Sequence, residues 1–299
     1  MKWSVKAGSA VFLLTFALAA QSTFSVHVKL VRLLVSVKNQ AGEVIGTLGK
    51  DEFDVLDCGV KQQITVFEHQ ATQPLSVSVL VDASGSTLKD VHYETNSIAK
   101  FFKALIKEGN AQDMAALYSF NYDVTRMHVF TRDLNHLVGQ LAKIKPTAGT
   151  SLYDAVHFAG HDLQGREGRH VMVIVSDGGD TTSHYKFQEA LEAAQKSDAV
   201  IYPIIVVPIA NDAGRNIGGE HTLIYFAQNT GGRVFYPVVA ELDKAFAEIL
   251  LDLRTQYMLG YYPKDLPKDA RNFHEVKVNV KRPDLRVATR SGYYSEVAP

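Results

Sequence analysis

The sequence predicts an α/β fold: a doubly wound, mostly parallel sheet, with a discontinuous β-sandwich-like module formed by the N- and C-terminal flanks. Three observations carry that prediction. Continuous apolar runs, such as Leu75-Ser76-Val77-Ser78-Val79-Leu80-Val81 and His170-Val171-Met172-Val173-Ile174-Val175, alternate with segments of helical period. Strands of that kind are buried on both faces, as in a parallel sheet covered by helices. Both runs lead straight into oxygen-rich turns, Asp82-Ala83-Ser84-Gly85-Ser86 and Asp177-Gly178-Gly179-Asp180. The two flanks have β character throughout, and neither is long enough to be stable alone, so they are expected to pack on each other.

Taken in order, residues 1–20 read as a signal peptide. Lys2 and Lys6 precede an eleven-residue apolar run, Ala10 to Ala20, that ends in the small-residue site Ala17-Leu18-Ala19. That run falls short of the ~20 residues that span hydrocarbon, so cleavage and export to a secreted or periplasmic location are expected, with no membrane span afterwards. Residues 24–72 form the N-terminal β module: β-formers at 27–37, 53–56 and 63–67 are separated by the turn chemistry of Asn39-Gln40-Ala41-Gly42 and Asp57-Cys58-Gly59.

The α/β domain is expected over 74–254. After the strand at 75–81, Leu88, Val91, Ile98, Phe101, Phe102 and Leu105 recur at helical spacing. Strands follow at 114–120 and 124–130, helices at 134–144 and 152–163, a strand at 170–176, a helix at 187–196 and a strand at 200–207. A helix at 221–228 and a short strand at 233–236 precede an amphipathic helix through Leu242, Phe246, Ile249, Leu250 and Leu253. The C-terminal β segment, 255–299, carries runs at 257–262, 276–280 and 286–290, bounded by Pro263, Pro267 and Pro283.

Composition narrows the function classes. With 31 Lys+Arg against 32 Asp+Glu, the chain lacks the net positive charge that draws a protein to nucleic acid or anionic lipid. Removing Lys2 and Lys6 leaves 29 basic residues and a mature net charge near −3. A single cysteine can form neither an internal disulfide nor a zinc site built from several thiolates, so a disulfide scaffold is excluded.

The chemistry gathers at the carboxyl ends of the predicted strands, where ligands of open parallel sheets bind. Asp82, Ser84 and Ser86 follow the first strand of the domain as D-x-S-x-S, Thr150 precedes a helix, and Asp177 follows a later strand. Two carboxylates and three hydroxyls form an all-oxygen set suited to Mg²⁺, Ca²⁺ or Mn²⁺ rather than zinc or copper.

That set, Asp82-Ala83-Ser84-Gly85-Ser86 with Gly149-Thr150 and Ser176-Asp177-Gly178, resembles the metal-ion-dependent adhesion site (MIDAS) of von Willebrand factor type A (VWA) domains, which have a Rossmann-like fold. The flanks, with Asp51-Glu52-Phe53-Asp54-Val55, Leu259-Gly260-Tyr261-Tyr262-Pro263 and Ser291-Gly292-Tyr293-Tyr294, resemble the exported bacterial proteins called acidobacterial VWFA-related. The resemblance implies that Ser84, Ser86 and Thr150 bind a divalent cation, Mg²⁺ first, with Asp82 and Asp177 acting directly or through waters. A cation held largely by neutral oxygens keeps positive charge, and it then takes an Asp or Glu carboxylate from a protein partner. The implied function is cation-dependent protein binding of adhesion type, without catalysis.

Two other classes compete. A structural envelope component would use the metal only to stiffen the rim. A metal-dependent hydrolase would need a base, a nucleophile or a second metal, and the chain has neither a G-x-S-x-G elbow nor a second acidic cluster. Other residues read more plainly. Asp154 and Asp180 suit solvated or supporting positions, and His157 and His161 suit ordinary helix histidines because Phe158 stands where a zinc-protease motif has Glu. Cys58 reads as a half-buried turn residue, and the tyrosines at 261, 262, 293 and 294 as cross-strand packing. The long loop 208–219 lies on the rim side and is a candidate for partner choice.

Overall fold

The computed structural model describes residues 30–69, 73–85, 91–205, 216–267 and 272–295. Its centre is a five-stranded sheet made of β5 (Leu75–Asp82), β6 (Met114–Phe120), β7 (Val124–Thr131), β8 (Arg169–Val175) and β9 (Ala199–Ile204). The strand order is β7-β6-β5-β8-β9. Four strands run parallel, and β7 turns back antiparallel at one edge.

Helices cover both faces because the central strands are apolar on both. On one face α1 (Val91–Glu108), α2 (Leu134–Leu141) and α6 (Leu242–Thr255) pack Phe101, Phe102, Leu137, Phe246 and Ile249 onto Val77, Val79, Leu117 and Val173. On the other, α3 (Leu152–Leu163), α4 (Phe187–Lys196) and α5 (Ile217–Thr230) set Val156, Ala159, Ala190 and Phe226 against Leu80, Tyr118, Met172 and Ile174. The chain leaves β5 for β6 on one side and returns to place β8 on the other. The crevice at the carboxyl ends of β5 and β8 is therefore the switch point where open α/β sheets bind ligands.

The flanks supply two four-stranded sheets. One contains β1 (Val31–Lys38), β4 (Val66–Glu68), β10 (Tyr257–Tyr261) and β12 (Arg286–Ala288) in the order β12-β1-β10-β4. The other contains β2 (Phe53–Asp57), β3 (Val60–Gln62), β11 (Phe273–Val280) and β13 (Gly292–Tyr294) in the order β13-β11-β2-β3. The alternating strands β2 and β11 turn Phe53, Val55, Val276 and Val278 inward to meet Leu33, Val35, Tyr257 and Leu259 of the other sheet. Each sheet mixes strands from both termini, so the module is discontinuous in sequence, as the composition of the flanks implies.

Several boundaries differ from the sequence reading for local reasons. The strand expected at 63–67 is cut back to β4, which begins at Val66, because residues 63–65 carry the chain from β3, paired with β2, across to the other sheet, where Thr65 donates to the Gly260 carbonyl. Helix α5 begins at Ile217 rather than 221, since the Asn216 side chain accepts the Gly219 N–H at 2.9 Å and caps it. The short strand expected at 233–236 is reduced to one bridge, Ile204 to Phe235. Beyond the expected runs, 292–294 forms β13 against His274 and its neighbours.

Candidate metal centre

Asp82 ends β5 and is fully buried. Its two carboxylate oxygens are used differently. Oδ1 accepts the Ser84 N–H at 2.8 Å, closing the turn after the strand, and Oδ2 accepts the Ser176 hydroxyl at 2.6 Å from the end of β8. The Ser176 hydroxyl in turn accepts the Gly178 N–H at 3.0 Å, and Asp177 Oδ1 accepts that of Gly179 at 3.0 Å. One hydroxyl thus ties the two strand-end turns together across the crevice.

The loop before α3 reaches the same rim. Thr147 donates its N–H to the Ala83 carbonyl at 2.9 Å, and Ala83 donates to Phe120 at 2.8 Å, which stitches that loop and the ends of β5 and β6 into one edge. Thr150 is buried; its N–H donates to the Thr181 hydroxyl at 3.0 Å and its carbonyl accepts the Thr181 N–H at 2.8 Å. Ser151, which caps α3 in sequence, sends its hydroxyl to the Tyr122 carbonyl at 2.8 Å instead. Asp82, Ser84, Thr150 and Asp177 therefore come from three separate loops at one sheet edge. Ser86 lies outside the described residues, as do 1–20 and most of the loop 208–219.

Burial pushes the Asp82 carboxyl above its ordinary range; hydrogen bonds from Ser176 and Ser84 oppose this, and the negative Asp177 adds to it. Two carboxylates that repel each other among hydroxyl oxygens fit a hard divalent cation, which would neutralise both. Sequence reasoning named Ser176 within its motif but gave it no role, because the link from its hydroxyl to Asp82 is visible only when β5 and β8 are seen side by side.

Comparison with known proteins adds to this geometry. Residues 77–179 match the family described as von Willebrand factor type A domain, a span that runs from β5 to the turn after Asp177. Over that span the chain is similar to a von Willebrand factor type A (VWA) domain. Among solved structures, this chain is similar to the von Willebrand factor domain of the type V pili tip protein Mfa5 from Porphyromonas gingivalis. That match has 14% identity, covers 67% of this chain and 100% of that one, and has a TM-score of 0.52. It is also similar to proximal thread matrix protein 1 from the mussel byssus, at 16% identity over 66% of this chain and 49% of that one, with a TM-score of 0.50. Identities this low speak to fold. No curated protein matches the chain.

The remaining candidates in and around the VWA domain take structural places. Asp154 accepts the His184 and Tyr185 N–H groups at 2.9 Å, and Asp180 accepts the Ser183 hydroxyl at 2.6 Å, so both carboxylates brace the loop that follows the rim. His157 stacks flat on Tyr185, with ring centroids 3.6 Å apart. In the β module, Tyr261 and Tyr293 both donate to Asp57, whereas Tyr262 is exposed.

Proposed function

We propose that this protein is an exported binding protein, secreted or periplasmic after cleavage of residues 1–20, whose VWA domain engages a protein partner through a divalent cation. Asp82, Ser84, Ser86, Thr150 and Asp177 would hold the ion, with Mg²⁺ as the first candidate and Ca²⁺ or Mn²⁺ as alternatives. When bound, the cation supplies a positive centre for an Asp or Glu carboxylate of the partner. The observation that carries this reading is the pair Asp82 and Asp177 at the ends of β5 and β8, close enough that Asp177 raises the Asp82 carboxyl, with the Ser176 hydroxyl linking Asp82 to the turn that holds Asp177.

The protein's own groups do the positioning. Ser176 and the Ser84 N–H hold the Asp82 carboxylate in place, so a cation finds its oxygens already oriented. Binding rather than turnover is favoured because the rim supplies oxygen ligands and no general base that the sequence marks for catalysis. The pili-tip and byssal matrix proteins named above, whose fold this domain shares, support an assembly or adhesive role. No helix among the described residues is long and apolar enough to cross a membrane.

The test is a pull-down from envelope extract with the mature protein in Mg²⁺ and in EDTA. Capture is expected in Mg²⁺ only, and Asp82→Ala should abolish it while the far-ultraviolet spectrum stays folded. Capture that persists in EDTA and in the variant would overturn the reading. A Mg²⁺-dependent rise in melting temperature with no change in captured proteins would assign the ion to stiffening the rim instead.

A further inference from the structure

A second cluster of ligand-type side chains lies in the β module, away from the rim. Asp57 ends β2, Cys58 follows in the turn to β3, and His274 comes from β11, the strand paired with β2. Asp57 Oδ1, Cys58 Sγ and His274 Nδ1 all lie within 4.8 Å of one another. Nδ1 is 3.9 Å from the sulfur and 3.5 Å from the carboxylate oxygen. Asp57 is fully buried, and its Oδ1 has no hydrogen-bond partner, although Tyr261 and Tyr293 both donate to Oδ2 at 2.8 Å. The two phenols fix the carboxylate so that its bare oxygen faces the histidine and the thiol.

The geometry decides between two roles. In a thiol–imidazole–carboxylate relay, the thiol and the carboxylate sit on opposite ring nitrogens. Here both converge on Nδ1, so the three atoms surround a point rather than form a chain. Burial, with Asp57 adding to it, also pushes the Cys58 thiol up, which makes it a poor free nucleophile. A buried carboxylate oxygen, a sulfur and an imidazole nitrogen around one point are the mixed donors of a tetrahedral zinc site, whose bonds run about 2.0–2.3 Å. The atoms stand somewhat further apart than in a loaded site, a gap that rotation of the Cys58 and His274 side chains toward the fixed carboxylate would close.

We propose that Asp57, Cys58 and His274 bind a borderline divalent transition metal, zinc in the first instance, with water as the fourth ligand on the partly exposed side of Cys58. Binding releases the thiol proton to solvent and takes the imidazole in its neutral form. Tyr261 and Tyr293 are then the outer partners that orient the carboxylate. The ion clips the β2–β3 turn to β11, joining residues 216 apart in a chain that has no disulfide.

The experiment uses the full chain carrying Asp82→Ala, so that the rim contributes nothing, stripped with chelator and titrated with Co²⁺ and then Zn²⁺. A thiolate-to-cobalt charge-transfer band is expected, displaced by one equivalent of zinc and absent in Cys58→Ser. His274→Gln should weaken zinc about tenfold or more, a loss that even the outer partners of metal sites produce. Cys58 sits in a turn, so its serine variant keeps the strand pairing and decides the matter even where the histidine variant does not fold. No charge-transfer band in the Asp82→Ala chain, or zinc affinity unchanged by Cys58→Ser, would overturn the proposal. Because an all-oxygen site cannot give a thiolate band, either result leaves the rim reading to its own pull-down.

Discussion

Gly178 shows how little room the rim leaves. Its φ is +83°, and a Cβ there would stand 2.1 Å from the Gly219 carbonyl oxygen at the start of α5. Gly165 has a similar φ of +76° with nothing within 4 Å, so it isolates the backbone cost. Gly165→Ala is expected to cost about 1 kcal/mol, the ordinary penalty of a left-handed alanine. Gly178→Ala should cost about 2–4 kcal/mol, because overpacking against backbone is added, and it should also displace Asp177. Urea denaturation measures both costs, and Mg²⁺-dependent capture should fall only in the second variant; equal costs and equal capture would mean that α5 yields freely. At this scale the turns of the rim were legible, since Asp82 closes one apolar run, Asp177 follows another and Thr150 stands just before a helix. Cys58 and His274 were not, because a contact between residues 216 apart leaves no trace in local spacing.

Helices and strands were legible wherever their period was long and clean. The boundaries of α3 and α4 coincide with their apolar patterns, and β6 follows its apolar run from Met114 to Phe120. Errors fell where a competing contact decides: at 63–65, where the chain changes sheet, and at the start of α5, where Gly218 and Gly219 read as loop. One element carries a pH signature. On α3, His157 lies against Tyr185 with its Nδ1 buried and without a hydrogen-bond partner. Burial holds its imidazole below the ordinary value of 6.5; Glu189 opposes this, His161 adds to it and Asp154 opposes it. A base whose folded value is lowered is protonated first in the unfolded chain. The stability it contributes is therefore whole above about pH 6.5 and is lost as pH falls from there through the folded value. His157→Phe keeps a ring on Tyr185 and removes the titration. The native chain should lose stability relative to this variant between about pH 6.5 and pH 5, and match its slope above pH 7. Parallel curves across the acid range would exclude His157 as a contributor.

For the whole molecule, the junction between the two layers of architecture is polar and buried. Arg169, at the start of β8, donates to the Leu253 carbonyl of α6 and to the Gln256 side chain. Gln256 then donates to Ser36 of β1 at 3.0 Å and to the Tyr202 hydroxyl of β9 at 3.1 Å. Burial brings the Arg169 guanidinium down to about 10, so it stays charged at neutral pH. Lys38 of β1 adds a second tie, an ion pair of 3.0 Å with the buried Asp252 of α6. Arg169→Ala leaves the Leu253 carbonyl and the Gln256 amide without their charged donor, at an expected cost of about 3 kcal/mol. Calorimetry should then resolve two transitions where one is expected of the native chain; a single transition at an unchanged midpoint would show the junction to be dispensable.

The path of the chain through that junction has a mechanical side. The α/β domain is entered after β4 and left into β10, and these strands are antiparallel neighbours, so both connections depart from the same end of one sheet. The rim that holds Asp82 and Asp177 lies at the far end of β5 from its entry. Tension between a captured partner and an anchored β module would be shared by two covalent strands pulled along their own axes. It would be resisted by the five registered pairs of β1 with β10, loaded in shear so that they yield together rather than unzip one by one.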